Sequence, residues 1–204
     1  MLIVLEGLDG AGTTTQATRL VEHLRARGKK AHLTCEPSSG PIGKLLRELL
    51  AGAHAIGGQA LSQPTFGLLF AADRLDHMQR EVEPAIARGE VVVSDRWYHS
   101  SHAYQGTGAE RDWIAQINAR ALKPDVTIFL KVRPEIAAKR RVAAGRAKEL
   151  FDDLAMQSDV DAGYKATIAE LQAAGERIVI VDGEANEDDV FAQVARAAEG
   201  RKVD

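Results

Sequence analysis

The sequence predicts an α/β chain built on a doubly wound sheet of five parallel strands, with helices on both faces and a short lid. Three observations carry that expectation. Five short apolar runs, at 2–6, 31–35, 90–94, 126–131 and 177–182, are continuous rather than alternating, as strands covered on both faces are. Helical patterns fill the gaps, and alternating strand and helix implies parallel pairing through crossovers. A glycine-rich turn, Gly7-Leu8-Asp9-Gly10-Ala11-Gly12, follows the first run and leads into the first helical pattern.

Leu2 to Leu5 form the first strand; Glu6 follows them and no basic stretch precedes them, which argues against a secretory leader. Residues 13–27 put Ala17, Leu20, Val21 and Leu24 on one helical face, with Gly28 suited to end it. The second strand ends on Cys35, the chain's one cysteine, expected to be a core thiol and unable to form an internal disulfide. Residues 41–51 gather Ile42, Leu45, Leu46 and Leu49, and 52–61 read as a Gly- and Ala-rich loop. A longer helical pattern runs from Ser62 to about Arg88, bent or split at Pro84. Val91-Val92-Val93 is the third strand, and helices at 110–121 and 134–144 flank the fourth. Polar and charged residues at 145–152 complete a lid spanning about 139–152. Helices at 158–174 and 187–198 bracket the last strand, and 199–204 read as a frayed tail.

The 204 residues suffice for one sizeable core, and no repeat or linker divides them, so 1–204 is expected to be a single domain. A net charge of −3 gives no support to nucleic-acid binding. No apolar run is long enough for a membrane span. A cytoplasmic protein is expected. His23 and His32 read as surface or edge residues, and no histidine shows metal-ligand spacing.

The turn carries the chemistry. The phosphate-binding loop pattern is G-x-x-x-x-G-K-[ST] between a strand and a helix. Residues 7–15 match it at Gly7, Gly12 and Thr14, but Thr13 stands where the pattern has lysine. Gly7, Gly10 and Gly12 permit tight turns and close approach of backbone N–H groups to phosphate, with Ala11, Thr13, Thr14 and Thr15 completing the cradle. The helix start adds its positive dipole end. Thr14 is suited to Mg²⁺ and the loop to ATP. Threonine at 13 carries no charge, which leaves three readings open: a substitute cation from the basic stretch 139–148, a slow or inactive kinase that still binds nucleotide, or an altered binding mode for the donor.

With the loop stand Glu36-Pro37, Phe70-Ala71-Ala72-Asp73-Arg74, Asp95-Arg96-Trp97 and Ser100-Ser101-His102-Ala103-Tyr104-Gln105. Their order and spacing resemble thymidylate kinases, P-loop nucleoside monophosphate kinases, from residue 1 to about 195. The resemblance implies a P-loop NTPase-type fold and phosphorylation of dTMP to dTDP by ATP with Mg²⁺. It implies that Phe70 stacks on the base and Arg74, one turn on, bonds a base carbonyl, with Phe66 lining the same pocket. Arg96 would hold the acceptor phosphate, and Asp95 would order Mg²⁺ through water. Asp9 would meet the 3′-hydroxyl or the metal shell, and Tyr104 would exclude a 2′-hydroxyl. Ser101, Gln105 and Glu36 would complete the acceptor side.

Two departures accompany the resemblance. The family's Glu-Pro-Gly-Gly-Thr reads here Glu36-Pro37-Ser38-Ser39-Gly40, and the lid lacks the arginine often found where Leu150 stands. Arg141 and Arg146 are the candidate catalytic cations. A nucleotide-binding pseudo-kinase and a kinase for another nucleoside monophosphate remain alternatives. The family also implies a homodimer, to which 62–88 and 97–120 would contribute.

Overall fold

The strand Leu2–Gly7 (β1) is buried along its whole length and lies at the centre of a five-stranded parallel sheet. Ala31–Cys35 (β2), Val91–Asp95 (β3), Val126–Lys131 (β4) and Ile178–Asp182 (β5) complete it in the order β2-β3-β1-β4-β5. The computed structural model describes residues 1–52, 61–145, 150–151 and 153–200. β1 pairs on one side with β3, Leu5 opposite Asp95, and on the other with β4, Gly7 opposite Leu130. The five expected strands are all present, each end within one residue of its expected place.

Alternation along β1 explains why both faces need cover. Ile3 and Leu5 belong to a core with Ala17, Leu20 and Val21 of the helix Thr13–Ala26 (α1). Leu2 and Val4 belong to a second core with Met78, Val82, Ala85 and Trp97. The helices Pro41–Leu50 (α2) and Gln63–His77 (α3) follow β2. Ser62 caps α3 by accepting from Thr65 N at 3.4 Å. The long pattern is interrupted as expected, but not at the proline itself. A π-turn at Met78–Val82 precedes a short helix, Glu83–Ala87 (α4), that starts with Pro84 in its first turn, where the missing N–H costs nothing.

One helix is not among those expected, and another starts earlier than expected. Tyr98–Tyr104 (α5) is a helix that no apolar period announces, followed by a 3₁₀ turn at Gln105–Thr107. After Arg111–Asn118 (α6) and Pro134–Ala143 (α7), the next helix is Leu154–Ala173 (α8), starting four residues before the expected 158. Asp153 caps it, accepting from Ala155 N at 2.9 Å and Met156 N at 3.4 Å. Glu187–Ala198 (α9) closes the chain as expected. Most of the loop 52–61, much of the lid and residues 201–204 of the tail lie outside the described residues.

Candidate active site

The C-terminal ends of the strands point to one side of the sheet, where doubly wound folds bind ligands. A cavity of about 800 Å³ opens there. Residues 9–16 line it, together with Glu36, Phe70, Arg74, Asp95, Arg96, Ser101, Tyr104 and Gln105. Of the expected site residues, Gly7 lies at the end of β1, one step behind this lining.

Gly10 has φ +92°, and a Cβ there would sit 2.4 Å from Ala137 O on α7, so only glycine lets the loop settle against that helix. Arg141, also on α7, packs its Cγ against Gly10 and donates to Asp9 O. It is buried and lines the cavity with Thr13, which is buried as well. Arg140 lines the cavity too but donates to Gly183 O at 2.8 Å. Arg146 lies outside the described residues.

Thr14 Oγ1 donates to Asp95 Oδ2 at 2.5 Å across the ends of α1 and β3. Asp95 Oδ1 is buried without a hydrogen-bond partner among the described residues. An orphaned anionic oxygen beside a hydroxyl at a phosphate loop fits Mg²⁺, which takes one or two protein ligands and keeps waters and substrate phosphates for the rest. No cluster of three or more His, Cys, Asp or Glu suited to a metal occurs among the described residues.

Arg96 follows β3 in a left-handed conformation, φ +76°. Its Nη2 donates to Asp9 Oδ1 at 2.8 Å; its Nη1 donates to Ser100 Oγ at 3.0 Å and Tyr164 Oη at 3.1 Å. Behind it, Glu6 accepts from Trp97 N, Ser100 Oγ and Tyr164 Oη at 2.7–2.8 Å. Burial disfavours the Arg96 cation, but the Asp9 and Asp95 carboxylates favour it and the group stays charged. Tyr104 Oη donates to Asp9 Oδ2 at 2.8 Å. Burial, then the neighbouring Asp9 carboxylate, raise the phenol well above its ordinary value, so it remains a donor.

On the far wall, Arg74 is buried on α3 below the half-buried Phe70. Its Nε and Nη2 both donate to Glu36 Oε2, at 2.9 and 2.6 Å. Nη2 also reaches Ser101 Oγ at 3.2 Å, and Nη1 donates to Asn118 Oδ1. Asp73 is turned away from this pocket. It accepts from Ser38 N at 2.7 Å and Ser38 Oγ at 2.6 Å, and so fixes the turn after β2. Gly43 lets that turn sit directly on α2, since a Cβ would lie 2.0 Å from Ser38 O.

Two expectations are corrected. Phe66 does not line the cavity; it is 1% exposed and packs edge-on against Phe151, centroids 5.4 Å apart, behind Phe70. Cys35 is no core thiol, because the strand ends there and leaves it exposed at the cavity rim. Sequence reasoning also missed lining residues. Arg47 donates to Pro37 O at 2.6 Å and Ser38 O at 2.5 Å from the basic side of α2. Phe151 and Leu50 also line the cavity, and Leu150 N donates to Leu50 O at 3.2 Å. The apolar period of α2 pointed inward to Leu46, and only the arginine at 47, one position on, signalled the rim.

No helix among the described residues is long and apolar enough to cross a membrane. The family model for thymidylate kinase matches residues 5–194. The chain is 42% identical to a probable thymidylate kinase of Thermococcus kodakarensis over 158 residues, 76% of this chain and 77% of that protein. It is 38% identical to one from Pyrobaculum aerophilum over 194 residues, 95% and 93% of the two chains. A thymidylate kinase of a Jannaschia species is 38% identical over 194 residues, 92% and 90%. With the parallel sheet, the phosphate loop and the match running through nearly all of its length, the chain belongs to the thymidylate kinase family.

Proposed function

We propose that the protein transfers the terminal phosphoryl group of ATP to dTMP, giving dTDP and ADP. One observation carries this reading: the phosphate loop, the Arg96–Asp9 pair and the Phe70–Arg74 wall share a single cavity. The donor phosphates lie on the loop amides and the start of α1. The acceptor lies between Phe70, stacked on the base, and Tyr104, packed on the sugar. Arg74 bonds a base carbonyl, while Ser101, Gln105 and Glu36 complete that wall. Arg96 holds the acceptor phosphate so that its oxygen attacks in line; no protein nucleophile is needed. Positioning and charge neutralisation supply the catalysis.

Thr14 and Asp95 would hold Mg²⁺, Asp95 through water. There the ion would supply positive charge against the donor phosphates. Asp9 accepts from Arg96 and Tyr104 and so sets the distance between the clamp and the sugar wall.

Thr13 leaves the loop without its usual cation. We assign that charge to Arg141, which rests on the loop itself, with Arg146 of the lid as the second candidate. A lid at about 139–152 would close over the donor and exclude water. The same reading includes a homodimer through α3, whose Leu68, Ala72 and Leu75 are exposed along one face. Light scattering of the purified chain would give twice the 22.0 kDa monomer mass.

A coupled assay with ATP, Mg²⁺ and dTMP, with dUMP, dCMP and no acceptor alongside, tests the activity. Turnover that requires dTMP is expected. Equal turnover with dUMP or dCMP would point to another nucleoside monophosphate. Measurable dTMP binding without turnover would make the chain a nucleotide-binding protein on a kinase frame.

A further inference from the structure

Behind the acceptor wall lies a histidine that the mechanism above does not use. His77, at the end of α3, has a fully buried side chain. Its Nε2 is 2.7 Å from Thr34 Oγ1 on β2 and 3.6 Å from Glu81 Oε2. Its ring meets Trp97 edge-on at 5.7 Å. Its Nδ1 lies 3.5 Å from Glu36 Oε1. Neither Nδ1 nor Glu36 Oε1 has a hydrogen-bond partner among the described residues, and both are buried.

Two buried polar atoms left bare at this separation are costly unless they serve each other. With a hydrogen on Nδ1 the ring turns a donor toward Glu36; without it, Nδ1 sets a lone pair against that carboxylate. Nε2 lies beside Thr34 Oγ1 and the Glu81 carboxylate. The other oxygen of Glu36 is the one that receives both donors of Arg74. The carboxylate is therefore held between an imidazole behind and a guanidinium in front, and only the guanidinium reaches the cavity with it.

We propose that His77 is a positioning residue for the acceptor base: its Nδ1–H fixes Glu36, and Glu36 fixes the fork of Arg74 at the angle the base requires. The inference rests on the reading of Arg74 as the base-binding arginine. It assigns His77 no contact with substrate and no part in phosphoryl transfer, so its removal acts on acceptor affinity rather than on turnover.

The test uses His77→Asn, His77→Gln and Arg74→Gln in the full chain, with kcat and KM measured for dTMP and ATP. An asparagine amide nitrogen reproduces the Nδ1 position, whereas a glutamine amide reaches the Nε2 position beside Thr34. His77→Gln is expected to raise the dTMP KM about 10-fold or more, with kcat and the ATP KM within about threefold of the unchanged chain. His77→Asn is expected to stay within about threefold in all of these, since the working donor is restored. Equal effects of Asn and Gln on the dTMP KM, or a parallel rise in the ATP KM, would make His77 a packing residue and overturn the inference. If Arg74→Gln raises the dTMP KM and His77→Gln does not, the inference alone fails. If Arg74→Gln leaves it unchanged, the base-pocket reading falls and takes the inference with it.

Discussion

At the donor end, the cavity wall is made mostly of loop backbone and hydroxyls, Gly10 to Thr15, braced by one helix, α7. At the acceptor end it is made of charged side chains that already have partners, Arg96 on Asp9 and Arg74 on Glu36, with Asp73 on Ser38 bracing the turn behind them. The difference follows from what each end has to recognise. A phosphate chain is the same in every nucleotide, and oriented N–H groups suffice to hold it. A particular base and a particular sugar need side chains at fixed angles. Those side chains lose their water when the protein folds rather than when the ligand arrives, which lowers the cost of binding.

The sharpest test of this division is Arg96→Ala. It removes the clamp and leaves Asp9 without that donor, so kcat/KM should fall by about 10³-fold or more, the scale of arginine effects in phosphoryl transfer. Donor binding, measured by ATP titration, should be nearly unchanged; a large loss there would show that the two ends are not separate.

Next in size is Arg141→Met, which keeps the alkyl packing on Gly10 and removes the charge together with the hydrogen bond to Asp9 O. We expect kcat to fall by roughly 10²–10³-fold. Thr13→Lys in the same chain should recover part of that loss, while Thr13→Lys alone should change kcat by less than about 10-fold. A strong gain from Thr13→Lys alone would show that nothing had replaced the lysine.

Asp73→Ala strips Ser38 N and Oγ of their acceptor in a buried turn. A stability loss of about 1–3 kcal/mol is expected in denaturant unfolding. The dTMP KM should rise while the ATP KM stays, because the turn borders only the acceptor side.

The smallest effect concerns α5, which carries Ser101 and Tyr104. Burial, then His99, lowers the His102 pKa to about 4. The native state therefore holds His102 neutral, while the unfolded chain protonates near its ordinary value of about 6.5. Stability from this group is present above that value and is lost as pH falls toward 4. His102→Gln should remove about 1 kcal/mol of the decline between about pH 6.5 and 5.5. Matching slopes for the two chains over that interval would refute the assignment.

The strands were legible because burial on both faces writes an unbroken apolar run, and Val91-Val92-Val93 has no competing reading. The phosphate loop was legible because its geometry is local, set by glycines a few residues apart. The supports of the acceptor wall were not. Glu6 meets Tyr164 across 158 positions and Arg74 meets Asn118 across 44, and no spacing rule connects such pairs. α5 escaped because its buried residues include His99, Ser101 and His102, polar positions that erase the apolar period. Asp73 stands next to Arg74 in the sequence, but adjacent residues on a helix point about 100° apart, and it faces Ser38 rather than the base pocket. The start of α8 was within reach: Asp153 before Leu154 is an ordinary cap signal, hidden by the charged stretch before it.

Arg96 is the one non-glycine residue with positive φ among the described residues. A side chain in that conformation costs on the order of 1 kcal/mol that glycine would not. Arg96→Gly would relax that backbone but strip Asp9, Ser100 and Tyr164 of their shared donor, a loss larger than the strain it relieves. The strain is therefore held in place by the hydrogen bonds that orient the clamp, and a variant at residue 96 should lose heat resistance together with turnover.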